Sequence, residues 1–170
     1  MTDPDARLYR KSKAHPAQLA YMGHVLMENR HALIADVSLT LATGLAERET
    51  ALEMIANIPG NHRMTIGADR GYDTASFVQG IRELNATPHI ATNDLRWGGS
   101  RLDGRTVRHA TYAISQFKRK GIEKIFGWMK AFAGYRKTHH RGRRRVDWQF
   151  TFLAAAYNLI RIRNLQAVAA

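Results

Sequence analysis

Apolar side chains come in short strand-like runs through the first half of the chain and recur at helical spacing in the second. Residues 19–30 (LAYMGHVLMENR) and 32–40 (ALIADVSLT) carry β-branched and aromatic side chains and are parted by Asn29, Arg30 and His31. They predict an antiparallel hairpin. Residues 42–49 read as a loop. Residues 50–58 then place Leu52, Ile55 and Ile58 or Met54 at helical spacing before Pro59 and Gly60, which predicts a short helix and its stop. Residues 65–68 (TIGA) are small or β-branched and lead into Asp69, with a turn signal in Arg70 and Gly71. That is the pattern of a buried strand delivering a carboxylate at its C-terminal end. A helix over 74–84, with Phe77, Val78, Ile81 and Leu84 on one side, and a strand over 87–92 follow.

The polar stretch 2–18 has no apolar period and reads as an arm, and the glycine- and charge-rich stretch 93–109 reads as a loop. Residues 112–133 predict a helix despite Gly121 and Gly127, each of which costs about 1 kcal/mol relative to alanine. Gly134 fits its stop, an arginine-rich stretch covers 136–145, and a last helix spans 146–168. On that helix Trp148, Phe152, Ala155, Ala156, Leu159 and Ile162 recur at helical spacing, which predicts core packing. Hairpin, helix, strand, helix, strand is an α/β alternation, so a mixed sheet covered by helices is expected. The length of 170 residues predicts a single domain: an arm to residue 18, sheet and helices with Asp69 over 19–92, and a basic loop and helices over 93–170.

Composition changes the picture in two ways. The chain has no cysteine, which excludes a disulfide scaffold and a thiolate metal site. No apolar run is long enough to cross a bilayer, and no signal-peptide core is present, so a cytoplasmic, nucleoid-associated protein is expected. The net charge of +12 is concentrated: residues 101–145 hold 14 Lys and Arg against Asp103 and Glu123 alone. Such a stretch is either a solvated face or a surface for an anionic partner, and a phosphate backbone neutralises it with release of counterions.

Within this basic region Glu123 is an isolated acid. At about 100° per residue, Arg119 and Lys130 project within roughly 40° of it, with Gln116 and Tyr112 on the same stripe. Glu123 is then either a surface ion-pair partner of Arg119, worth about 0 to 1 kcal/mol, or a functional carboxylate. Asp69 is the first candidate for chemistry, because ligands gather at the carboxyl ends of strands in open α/β sheets.

The segment RKGIEKIFGWMK, with Arg119, Glu123 and Lys130 in an R-xxx-E-xxxxxx-K spacing, resembles the second half of the YxxRxxxExxxxxxK signature of DDE-type insertion-sequence transposases. GADRGYDT resembles their second-aspartate motif, and TDPDARLYRKSK, GHVLMENRHALIAD and VDWQFTFLAAAYNLIR are also similar to that family. The resemblance implies a ribonuclease-H-like fold whose three carboxylates bind two Mg²⁺ or Mn²⁺ ions about 4 Å apart, for in-line attack on a phosphodiester of double-stranded DNA. By carry-over Asp69 is the second catalytic and metal-binding acid and Glu123 the third. Arg119 and Lys130 would grip DNA near the element end, and Arg141, Arg143, Arg144 and Arg145 fit phosphate tracking. Coupling of two element ends suggests a homodimer on DNA.

The sequence departs from the family pattern at two places. The signature tyrosine falls on Gln116, with Tyr112 one turn earlier. The family's first aspartate lies on a strand upstream of the segment that TDPDARLYRK resembles, and here Met1 stands directly before that segment. The expectation is therefore a truncated transposase, lacking its first strand and impaired in catalysis, or a non-catalytic DNA-binding remnant that inhibits an intact enzyme. Asp36 is the one strand-borne acid before Asp69, but it matches a different strand. Three further expectations concern single residues. His24 reads as a satisfied core histidine, and Asp73 as the N-cap of the helix from Thr74. Trp97 reads as an anchor of its loop to the core rather than a stacking platform.

Overall fold

The computed structural model describes residues 3–10, 14–44, 46–60 and 63–169. Within the arm, the expectations for residues 1–2 and 11–13 lie outside the described residues. The chain forms two compact units, Met1–Met54 with Glu123–Ala170, and Ile55–Ile122.

The first unit is built on a three-stranded antiparallel sheet of β1 (Arg7–Tyr9), β2 (Gln18–Met27) and β3 (Ile34–Leu41), in that order. The expected hairpin is β2 and β3, in register at Val25↔Val37. Its turn closes where Glu28 N–H donates to the Leu33 carbonyl at 2.8 Å and Ala32 takes φ +57°. The arm is not wholly irregular, because Arg7 to Tyr9 add a short edge strand on β2. His24 is buried, with Nε2 2.8 Å from Thr40 Oγ1, and burial lowers its pKa.

Helix α1 (Ala46–Ala56) begins four residues earlier than its apolar pattern suggests. The first buried positions along it are Ala46 and Thr50, which carry little hydrophobic signal. Helix α5 (Ile122–Ala131) ends at Gly134, φ +66°, with Tyr135 N–H donating to the Met129 carbonyl at 2.9 Å. Helix α6 (Arg143–Ala169) packs on β3 and fixes the hairpin: Asn158 brackets Ile34, accepting from its N–H and donating to its carbonyl, both at 2.8 Å. Its buried face is Val146, Phe150 and Ala154. Phe150 lies so close to β2 that a Cβ on Gly23 would come within 2.9 Å of its ring, so that strand position needs glycine. The stripe expected in the core is instead exposed, with Trp148 at 65% and Leu159 at 69%.

The second unit is a parallel ladder of β4 (Met64–Ala68) and β5 (Ala86–Ile90), joined by α2 (Ala75–Glu83). Phe77, Val78 and Ile81 are buried, as their spacing predicts. Thr74 caps α2, its hydroxyl accepting from Phe77 N–H at 3.3 Å. Helices α3 (Gly104–Arg108) and α4 (Ala110–Lys118) follow, and α4 packs on β4 and β5. The architecture is α/β, with one three-stranded antiparallel sheet and one parallel pair of strands among the described residues. The helix expected over 112–133 is interrupted by a 3-10 turn at Arg119–Gly121, next to the helix-disfavouring Gly121.

Candidate active site and nucleic-acid interface

Asp69 stands where β4 ends. Its Oδ1 accepts a 2.7 Å hydrogen bond from Gly71 N–H, and its other oxygen has no partner among the described residues. Gly71 makes this possible: a Cβ there would sit 3.0 Å from Asp69 Oδ1, at the limit of contact. Residues 69–71 thus hold one oxygen of an exposed carboxylate and leave the other to solvent.

Gly67, two residues before Asp69, lets α4 lie against β4; a Cβ there would meet the Ser115 carbonyl and Arg119 Cβ at 3.4 Å. From α4 two side chains reach consecutive carbonyls of β5. Tyr112 Oη donates to the Ile90 carbonyl at 2.7 Å, and Gln116 Nε2 to the His89 carbonyl at 2.6 Å. The other end of the Gln116 amide accepts from Arg119 Nε at 2.8 Å. Gln116 is therefore a strut from strand to guanidinium, and Tyr112 makes a separate contact with the strand. Below them His89 Nδ1 lies 2.8 Å from Ser115 Oγ; burial and the nearby His109 lower the His89 pKa.

Asp73 is a structural carboxylate that the sequence pattern misassigns. It is not the cap of α2 but a fully buried carboxylate that accepts from Asn93 N–H at 2.8 Å and Arg101 N–H at 2.9 Å, while Arg96 donates to its carbonyl oxygen. Burial alone would raise its pKa; the bonds from Arg101, Asn93 and Ser100 and the charge of Arg96 outweigh it, and the carboxyl titrates below its ordinary value. Asp73 thereby ties down the loop 93–101. Trp97 does not anchor that loop, being 98% exposed. The signal for Asp73 was its place one residue before Thr74, a better cap by one position.

In the first unit, Glu123 lies in the first turn of α5, exposed and without hydrogen bond or ion pair among the described residues. Lys130 lies seven residues on in the same helix, so the two share a stripe. Arg119 precedes α5 in the 3-10 turn, where an angle of 100° per residue no longer applies.

The arginine cluster also differs from the expected loop. Arg143, Arg144 and Arg145 form the first turn of α6, and Arg141 precedes it. Cations at a helix N-terminus oppose the helix dipole. Two carboxylates offset them there: Asp3 accepts from Gly142 N–H at 3.1 Å and Asp5 from Arg143 N–H at 2.9 Å. Asp3 also accepts from Tyr21 Oη at 2.8 Å, and burial together with that carboxylate pushes the Tyr21 pKa up to about 12. Arg143 Nε donates to the Leu39 carbonyl, whereas Lys130, Arg141, Arg144 and Arg145 are exposed and take part in no ion pair among the described residues. Beside them is a cleft of about 760 Å³ rimmed by Lys130, Lys137, His139, His140 and Arg141 over an apolar floor that includes Met129 and Phe150.

Asp36, the remaining strand-borne acid, turns Oδ1 to its neighbour Val37 N–H at 2.8 Å. Among the described residues no group of three or more His, Asp or Glu side chains is gathered closely enough to hold a metal. No helix of the described residues is long and apolar enough to cross a membrane.

The chain thus combines an α/β frame, a carboxylate half-free at a strand end and, among the described residues, exposed cations outside any ion pair. The family model described as Transposase DDE domain matches residues 4–159, and the chain belongs to that family. No curated protein and no solved structure matches it.

Proposed function

We propose that the chain works in insertion-sequence transposition as a ribonuclease-H-like catalytic domain that holds double-stranded DNA and contributes Asp69 and Glu123 to a divalent-metal site. The observation that carries this is the free oxygen of Asp69 at the end of β4, in a chain of the transposase family. Both carboxylates are hard oxygen donors with room for a ligand, which fits Mg²⁺ or Mn²⁺. When bound, such ions supply the Lewis acidity for in-line attack on a phosphodiester. The chain's own residues do the positioning: Gly71 orients Asp69, and Gln116 holds Arg119. Lys130, Arg141, Arg143, Arg144 and Arg145 meet phosphates, as cations on such a surface do. A homodimer coupling two DNA ends belongs to the same reading.

Catalysis by the chain alone is proposed to be impaired, because Asp36 is turned to its own backbone and no three-acid cluster forms among the described residues. The same observation favours a second reading, a DNA-binding inhibitor of an intact transposase. The test is duplex binding and plasmid cleavage with the wild-type chain, Asp69→Asn and Glu123→Gln. All three are expected to bind DNA alike, with no strand transfer. Efficient strand transfer by the wild-type chain alone would overturn the impairment, and absence of DNA binding would overturn the whole reading.

A further inference from the structure

Helix α6 is apolar on two opposite faces. One face, Val146, Phe150, Ala154 and Tyr157, is the one turned to the hairpin, where Tyr157 Oη also donates to the Ala32 carbonyl at 3.2 Å. The other carries Trp148, Phe152, Ala155, Leu159 and Ile162 at steps of four and three residues, the spacing of a helix-pairing seam. At 100° per residue these five fall within about 80° of arc, centred opposite the buried face. Trp148, Phe152, Leu159 and Ile162 are 65%, 59%, 69% and 42% exposed, and the Trp148 and Phe152 rings stack with centroids 5.7 Å apart. From Trp148 to Ile160 the helix has no charged residue.

We infer that this stripe is covered by the same stripe of a second copy, the two α6 helices running antiparallel about a two-fold axis at Ala155. The area fits. With about 150 to 250 Å² per large side chain, the stated exposures leave roughly 400 Å² of apolar surface on each copy. An interface of standard size covers about 800 Å² per partner and is about 60% apolar, so the stripe supplies most of its core. The direction follows from symmetry and charge. Asp147 and Arg163 lie eight residues either side of Ala155, so an antiparallel pair brings opposite charges level with one another at both ends. A parallel pair would set Arg144 and Arg145 beside their own copies. Trp148 and Ile162 lie seven residues either side, so a large side chain meets a smaller one, and Ala155 at the crossing lets the backbones approach.

This deepens the pairing included in the proposed function, but its test needs neither DNA nor metal, so each can fail without the other. The chain has no cysteine, so Ala155→Cys introduces a single thiol that reports the axis directly. Sedimentation of the full chain is expected to show a dimer at concentrations up to about 100 µM, and Ala155→Cys to form a disulfide-linked dimer on mild oxidation. Leu159→Glu, at an exposed site, should weaken the dimer at least about tenfold with an unchanged circular-dichroism spectrum. A monomer throughout that range, or a dimer that Leu159→Glu leaves intact and Ala155→Cys does not cross-link, would overturn the inference.

Discussion

Replacing Asp73 by Asn tests the local architecture four residues beyond Asp69, at a buried carboxylate with defined partners. Asp73 is buried and takes two backbone N–H bonds, at 2.8 and 2.9 Å, from the two ends of the 93–101 loop. Asn keeps one acceptor but turns an amide donor toward the second N–H. One charge-assisted bond is lost, about 1.5 to 3 kcal/mol, and a buried donor is left facing a donor, so a total of about 2 to 4 kcal/mol is expected. Urea denaturation of wild type and Asp73→Asn gives the difference, and trypsin reports the loop, which contains Arg96 and Arg101. The variant should be cut there faster. The pH dependence carries its own sign. The folded-state pKa of Asp73 lies below the ordinary 3.8, so its contribution is fully present above about pH 4 and is lost as pH falls through the folded value. The difference between the two proteins should be constant from about pH 5 to 8 and shrink below about pH 4. A difference under about 0.5 kcal/mol at neutral pH, a value usual for a surface substitution, or one that persists undiminished at pH 3, would refute the role assigned to this carboxylate.

Three other substitutions probe the remaining contacts. Gly71→Ala puts a Cβ 3.0 Å from Asp69 Oδ1; it should cost under about 1.5 kcal/mol of stability yet reduce Mn²⁺ uptake, measured by paramagnetic resonance. Gln116→Leu leaves the His89 carbonyl and Arg119 Nε without their shared partner; a loss of about 1 to 3 kcal/mol in urea denaturation is expected. Converting Arg141, Arg143, Arg144 and Arg145 to Gln should reduce the slope of log affinity for duplex DNA against log salt by up to about 3.6, if each meets one phosphate. An unchanged slope would remove the cluster from the DNA path.

The hairpin and α2 were legible from the spacing of their apolar positions; the strand before Asp69 stands where its small and β-branched run places it but is only half-buried, with Thr65 exposed, rather than the buried strand expected. Helix α6 was legible as a helix but not in orientation. Val146, Phe150 and Ala154 repeat as regularly as Trp148, Phe152 and Ala155, and periodicity alone does not say which stripe meets the sheet. Larger side chains pointed to the wrong one. Asp73 was misread because Asp and Thr are both good caps, and only the backbone decides that Thr74 takes the role and frees its neighbour to reach residues 93 and 101. The arginine cluster carries no apolar period to mark Arg143, Arg144 and Arg145 as helical; cations oppose the dipole at a helix start, and Asp3 and Asp5, far away in sequence, offset them. Of the candidate site, Asp69 could be named from its place at the end of a strand, and Glu123 only through the resemblance of its segment to the transposase signature. The strut through Gln116 could not, because it depends on a carbonyl of β5 that no pattern marks.

The central claim is that Asp69 and Glu123 are metal-binding carboxylates, and Mn²⁺ uptake by the chain in the presence of duplex DNA tests it most directly. Paramagnetic resonance should show free Mn²⁺ falling on addition of the wild-type chain, with the uptake lost in both Asp69→Asn and Glu123→Gln. Equal uptake by all three proteins, or none by any, would contradict the account.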